Sequence, residues 1–262
     1  MCCFSGRVAR VENTRIFARR MDDRTQALAY AMRVSAAEDL AMVLPLPTEP
    51  AAGEDAVGFV DLSAAPELFD ALNTLYPTRA KSLAPQALRA PRQTLAVHTV
   101  GAFDASFVPA PEDFDRLDPR FRLAPSIVDA LCTRERLGFA VFQLRGLAPA
   151  APEPWWRRIF SSASAPSPRA QAFHPMGLTF RARAPESLFL PTVHVHDGTL
   201  PETASFDHTL YVQGAADAEH WRRSASAPND DLVRRAKGLL TRDEPVWRRE
   251  MKGELPNRDV WV

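Results

Sequence analysis

The chain has 262 residues, 32 basic against 32 acidic, with 46% hydrophobic residues and three cysteines. It is long enough to bury a core without disulfides, and the balanced charge with no long block of one sign argues against a nucleic-acid groove or a basic membrane tail. Three cysteines (Cys2, Cys3, Cys132) make no disulfide framework, Arg7, Arg10 and Arg15 interrupt any amino-terminal apolar region, and Leu40 to Pro47 is too short to span a bilayer. The expectation is a cytoplasmic, soluble protein.

Residues 8–47 read as three successive strands. In the second, Leu28, Tyr30, Met32 and Val34 alternate with Ala27, Ala29, Ala31 and Arg33, the pattern of a half-buried strand with large side chains on one face. Asp22-Asp23 supplies the preceding turn. Leu40 to Leu46 is apolar on both faces and is placed centrally in a sheet, ended by Pro45 and Pro47. Residues 48–56 read as a loop and Val57 to Leu62 as a strand.

Pro66 to Tyr76 has a helical stripe of Leu68, Phe69, Leu72 and Leu75, with Ser63 as its cap and Pro77 as its stop. Residues 78–92 read as a basic surface loop. Thr94 to Val100 and Phe103 to Val108 form a strand pair bent at Gly101. Ile127 to Thr133 lies in a short helix, with Cys132 on its core face, before the strand Leu137 to Leu144.

Residues 147–169 are dense in proline and small residues, and Trp155-Trp156 within them reads as an anchor pinning a loop. Gly177 to Ala182 and Leu188 to His196 read as strands, and 217–247 as helical and Arg-rich. The leading fold is a single compact α+β domain over 1–262, mostly antiparallel β-sheet with a few peripheral helices. Two β-rich halves, 1–146 and 170–262, joined by 147–169, are the other arrangement. Most linkers are too brief for the crossover helices of a parallel βαβ fold.

Several segments together resemble a bacterial family known as domain of unknown function 2330. They are Ile16-Phe17-Ala18-Arg19, the run Ala37 to Pro47, Val100-Gly101-Ala102-Phe103-Asp104, Leu137 to Phe142, and Phe173-His174-Pro175-Met176-Gly177-Leu178-Thr179-Phe180 followed by Leu188-Phe189-Leu190-Pro191. The resemblance implies a related fold and no known reaction. Members of that family look exported, with cysteine near a mature start, whereas this chain opens with Met1-Cys2-Cys3-Phe4. No site residue is carried over.

The chemistry concentrates in Thr192-Val193-His194-Val195-His196-Asp197-Gly198 and in His208, half of the six histidines within fifteen residues. Alternate strand residues share a face, so His194 and His196 project together, and a turn at Asp197-Gly198 would return Phe206 to Gln213 as a hairpin partner carrying His208. Three imidazoles in this arrangement suit copper, zinc or iron. Asp197 and Asp207 are candidate partners fixing the imidazole tautomers, and His98 and His174 candidate fourth ligands. The same residues also suit ordinary hydrogen-bonded hairpin histidines.

Cys2 and Cys3 are candidate thiolate ligands for the same ion. Alternatively Cys2, freed of Met1, is the nucleophile of an amino-terminal amidohydrolase, its own α-amine acting as base. Glu38-Asp39 reads as a turn cap in preference to a general base. No phosphate loop, GxSxG elbow or CxxC motif is present. The leading expectation is a transition-metal protein, an oxidase or oxygenase acting on a small molecule or modified peptide. A non-catalytic binding or scaffold protein anchored through Trp155, Trp156 and Trp247 is the other class.

Overall fold

The computed structural model describes residues 2–49, 53–76, 99–100, 103–133, 136–147, 171–196, 198–214 and 220–262. In chain order the strands are β1 (Cys2–Phe4), β2 (Val8–Arg20), β3 (Thr25–Ala36), β4 (Leu40–Leu46), β5 (Val57–Asp61), β6 (Thr99–Val100), β7 (Phe103–Val108) and β8 (Gly138–Leu144). They continue as β9 (Gln171–Ala172), β10 (Met176–Arg181), β11 (Phe189–Leu190), β12 (His194–Val195), β13 (Thr203–Gln213), β14 (Arg222–Arg223), β15 (Trp247–Pro256) and β16 (Val260–Trp261). The α-helices are α1 (Leu68–Thr74), α2 (Pro125–Leu131) and α3 (Asp230–Arg235).

Six strands form one sheet in the order β12-β1-β4-β8-β7-β6. Seven form the path β14-β15-β13-β2-β3-β10-β5 of a second, with β9 also paired to β3, and β11 and β16 make a small ladder of their own. Pairing is antiparallel except for β1 with β12 and β2 with β13, so the fold is α+β and mostly antiparallel sheet, as the sequence pattern predicts. Strands from either side of residues 147–169 lie side by side in both sheets: β1 beside β12, and β3 beside β10.

The alternation along β3 sets the layering. Leu28, Tyr30, Met32 and Val34 enter a core shared with the six-stranded sheet, and Phe59 of β5 meets Phe142 of β8 edge-on at 5.5 Å across that gap. Ala27, Ala29 and Ala31 face the other way, but not into water. Leu68, Phe69 and Leu72 of α1, with Leu232, Leu239 and Leu240, cover them in a second core. The strand is therefore buried on both faces, and small residues on one of them let a layer of helices approach the backbone closely. Leu40 to Leu46 is buried throughout and sits centrally, as its uninterrupted apolar run predicts.

Three boundaries differ from the sequence expectation. α1 begins at Leu68 with Glu67 at its N-cap and no side-chain cap, while Ser63 lies in a turn bonded to Asp61. The stretch 217–247 is not one helix: within its described part only Asp230–Arg235 is α-helical, capped by Asn229, and Lys237 and Gly238 at positive φ end the turn. Leu188 to His196 is two short strands in different sheets, split around Pro191. The positions 78–92, 94–98, 148–169 and Trp155-Trp156 lie outside the described residues. Among the described residues no helix is long and apolar enough to cross a membrane.

Candidate functional site

β12 and β13 are not a hairpin of one sheet. β12 is the edge of the six-stranded sheet and β13 lies inside the larger one, so their side chains meet across the sandwich instead of along a shared ladder. Along β13, Phe206, Leu210 and Val212 enter the shared core while Tyr211 enters the helix-side core. His208 falls in the first row by period two. On β12, His194 projects toward it.

The three imidazoles do gather. His194 Nε2 and His208 Nε2 are 2.9 Å apart, a hydrogen bond in which one ring donates and the other accepts. His196 stacks on His194 with centroids 4.8 Å apart at 22°, and Phe206 stacks on His194 at 4.4 Å. Phe4 of β1 closes the other side of His196 at 5.8 Å. His194 is 8% exposed and His208 only 1%. The Nδ1 of His208 is buried and has no hydrogen-bond partner among the described residues.

Burial dominates the electrostatics. It holds His194 down to about 3, aided by the charge that His196 can carry, and His208 down to about 2, aided by nearby positive groups that include both other histidines. Both rings are neutral at pH 7.

The backbone carrying His194 is clamped by the segment that follows β15. Asp259 Oδ1 accepts from the N–H groups of Thr192 (2.8 Å) and Val193 (3.0 Å), and Thr192 Oγ1 donates to the Arg258 carbonyl. Asn257 takes the His194 N–H on Oδ1 at 2.7 Å and returns Nδ2 to the His194 carbonyl at 3.0 Å. A side-chain amide thus stands in for a neighbouring strand. Sequence reasoning did not select Asn257 or Asp259, and Pro256-Asn257-Arg258-Asp259 carries only a turn signal.

On its other edge β12 pairs in parallel with β1, with Cys2 opposite His194 and Cys3 opposite Val195. The backbone of the cysteine pair thus runs beside the histidine strand. Cys3 is fully buried, and strand alternation sends it to the face shared by Val195, away from the imidazoles. Asp207 also points away: exposed on the opposite face of β13, it accepts from the Asn13 N–H at 2.6 Å. It is not a tautomer-fixing partner.

His174 lies apart, its ring 4.6 Å from Phe103 and its Nδ1 2.9 Å from the Pro175 carbonyl, and burial lowers its pKa. Asp39 accepts the Leu147 N–H at 3.0 Å, a long-range bond to the segment after β8 and not a cap on its own turn. Cys132 is half-buried at the end of α2, and burial pushes its thiol pKa up. Asp197 and His98 lie outside the described residues. Among the described residues, no three His, Cys, Asp or Glu side chains are arranged to hold a metal ion.

The fold and site together define a two-sheet protein with a desolvated imidazole cluster between its layers. No family model matches the chain, and no curated protein does. Among solved structures it is similar to baculovirus P35, at 9% identity over 99% of this chain and 98% of that one with a TM-score of 0.46. It is also similar to a mutated baculovirus P35 after caspase cleavage (10% identity, 95% and 96% coverage, TM-score 0.44) and to the caspase-8/P35 complex (11%, 95% and 95%, 0.41). Likeness at this level says nothing of the site or its chemistry.

One energetic consequence follows from the paired rings. In metal-free protein, His208→Leu alone is expected to cost about 1–3 kcal/mol, because it strands His194 Nε2 in the core. His194→Leu with His208→Leu should cost less than the two single variants added together, since both partners of the bond then vanish. Urea unfolding of the four proteins measures the difference, and strict additivity would contradict the pairing.

Proposed function

We propose that the chain is a transition-metal-binding protein that takes copper or zinc between His194 and His208, with Cys2 as the thiolate ligand. The observation that carries this reading is the approach of the two Nε2 atoms at 2.9 Å on rings that burial keeps neutral. Neutral imidazole is the ligating form. With about 2.0–2.1 Å per metal–nitrogen bond, nitrogens 2.9 Å apart subtend about 90° at the ion, and opening them to about 3.3 Å gives a tetrahedral angle. That adjustment of about 0.4 Å is within side-chain reach.

Cys2 supports the reading by its register opposite His194, since a mixed sulfur and nitrogen set favours copper or zinc over hard cations. An oxidase or oxygenase acting on a small molecule or modified peptide would use the open positions of such an ion. The amino-terminal nucleophile reading of Cys2 has no comparable support, because the imidazoles beside that strand are not needed by it.

Purified protein is expected to hold about one equivalent of copper or zinc by elemental analysis, and stripped protein to take up cobalt(II) with ligand-field absorption. His208→Gln and Cys2→Ser should each reduce retention, with unfolding midpoints reported alongside to separate lost ligands from lost fold. Protein that arrives empty and takes up none of these ions sinks the proposal.

A further inference from the structure

Two buried side-chain atoms without a hydrogen-bond partner among the described residues belong to neighbouring strands: Thr14 Oγ1 on β2 and His208 Nδ1 on β13. β13 runs parallel to β2 with Leu210 opposite Ile16 and Thr209 opposite Arg15, so one position earlier Thr14 comes beside His208. Ile16 and Leu210 both enter the shared core, and period two returns Thr14 and His208 to that same face. Each is 1% exposed. Adjacent strands lie about 4.8 Å apart, which puts a threonine hydroxyl and the near nitrogen of an imidazole within reach of one hydrogen bond or of one shared water.

β2 is bulged at this point. Glu12 is opposite Arg33 and Arg15 opposite Ala31, so Asn13 and Thr14 together face Met32, with Asn13 at φ 53°. The Asn13 N–H donates to Asp207 Oδ2 at 2.6 Å, which pins the bulge to β13 at the residue before His208. The other strand neighbours of His208 on its face are apolar: Met251 opposite on β15, and Phe206 and Leu210 two residues away on β13. Thr14 is the polar one among them. Arg15 Nε, also buried without a partner among the described residues, lies on the other face of β2, where its guanidinium covers Phe69.

We propose that the Thr14 hydroxyl accepts the Nδ1 proton of His208, directly or across one bridging water, and so holds that ring in the tautomer whose Nε2 lone pair faces His194. His194 Nε2–H is then the donor in the 2.9 Å bond between the rings. An unpartnered N–H in an apolar core is costly, so without the hydroxyl the proton moves to Nε2 and points at His194. Thr14 is thus a positioning residue, and its bearing on metal rests on the proposed function: His208 ligates through Nε2 only while Nδ1 carries the proton.

The test uses the full chain, metal-free and labelled with nitrogen-15 in its histidines. Long-range proton–nitrogen correlation, with His208→Gln to assign the ring, reads which nitrogen carries the proton. Native protein and Thr14→Ser should show His208 protonated at Nδ1, and Thr14→Val should move the proton to Nε2. Zinc affinity measured against a chromophoric chelator should fall about ten- to a hundredfold in Thr14→Val and be restored in Thr14→Ser. Thermal melting verifies that each variant folds, and if the valine variant does not, the native tautomer decides. His208 protonated at Nε2 in native protein, or still at Nδ1 in Thr14→Val, would overturn the proposal whether or not any ion is taken up. Unchanged zinc affinity despite a moved proton would overturn the positioning role. A tautomer set by Thr14 in a protein that takes up no ion supports this inference and sinks the metal reading alone.

Discussion

Metal-free protein is expected to unfold on mild acidification, losing about 5 kcal/mol between pH 7 and pH 4.5 from two side chains. His194 and His208 have folded pKa values of about 3 and about 2, well below the ordinary histidine value of 6.5. The unfolded chain takes up these protons near pH 6.5 while the folded one refuses them, so each pH unit below that point costs about 1.4 kcal/mol per ring. The stability they contribute is fully present above pH 6.5 and is lost as pH falls toward the folded values. His174, whose pKa burial also lowers, adds in the same direction. Against a total of about 5–15 kcal/mol for a typical domain, this is enough to unfold the protein near pH 4–5. Urea midpoints across pH 7.5 to 4.5 in the presence of chelator measure it, and His194→Leu with His208→Leu should flatten the profile. A native profile already flat over that range would mean that the rings are not held neutral by burial.

Much of the sheet architecture was visible in side-chain periodicity, and the parts that were not have physical reasons. Period two in Leu28-Ala29-Tyr30-Ala31-Met32 identified β3, but periodicity reports that two faces differ and not what covers each, so the helix layer over the alanines was invisible. The grouping of His194 and His196 followed from alternation, and their proximity to His208 is real. Its route was misjudged because a turn signal at Asp197-Gly198 implies adjacency along a sheet and is silent about strands that change sheets.

The parallel pairs β1 with β12 and β2 with β13 join residues nearly two hundred positions apart, and such pairs have no local turn to announce them. β15 was hidden for a different reason. Trp247-Arg248-Arg249-Glu250-Met251-Lys252 is mostly charged and only partly buried, so its composition masks a strand that pairs with β13 along ten residues. That strand leads into the Asn257 and Asp259 clamp, so missing it also hid the device that positions His194.

Replacing Phe142 by alanine is expected to cost about 3–5 kcal/mol, the range for emptying a buried aromatic site. Its ring is fully buried and meets two others edge-on, Phe59 of the opposite sheet at 5.5 Å and 87° and Phe103 of its own sheet at 6.0 Å and 81°. It also begins a cross-strand row on the inner face: Phe142 opposes Met42, Met42 opposes Phe4, and the Phe4 ring lies against His196. That row fills the gap between the sheets and ends at the imidazoles. Phe142→Leu keeps more of the volume and should cost distinctly less, since the penalty grows with the cavity left behind. Because the histidine end is held separately by Asn257 and Asp259, the alanine variant should lower the urea midpoint while leaving the proposed uptake of copper or zinc by its folded fraction unchanged. Loss of the proposed copper or zinc uptake in step with stability would show instead that the row itself, and not the clamp after β15, sets the distance between His194 and His208.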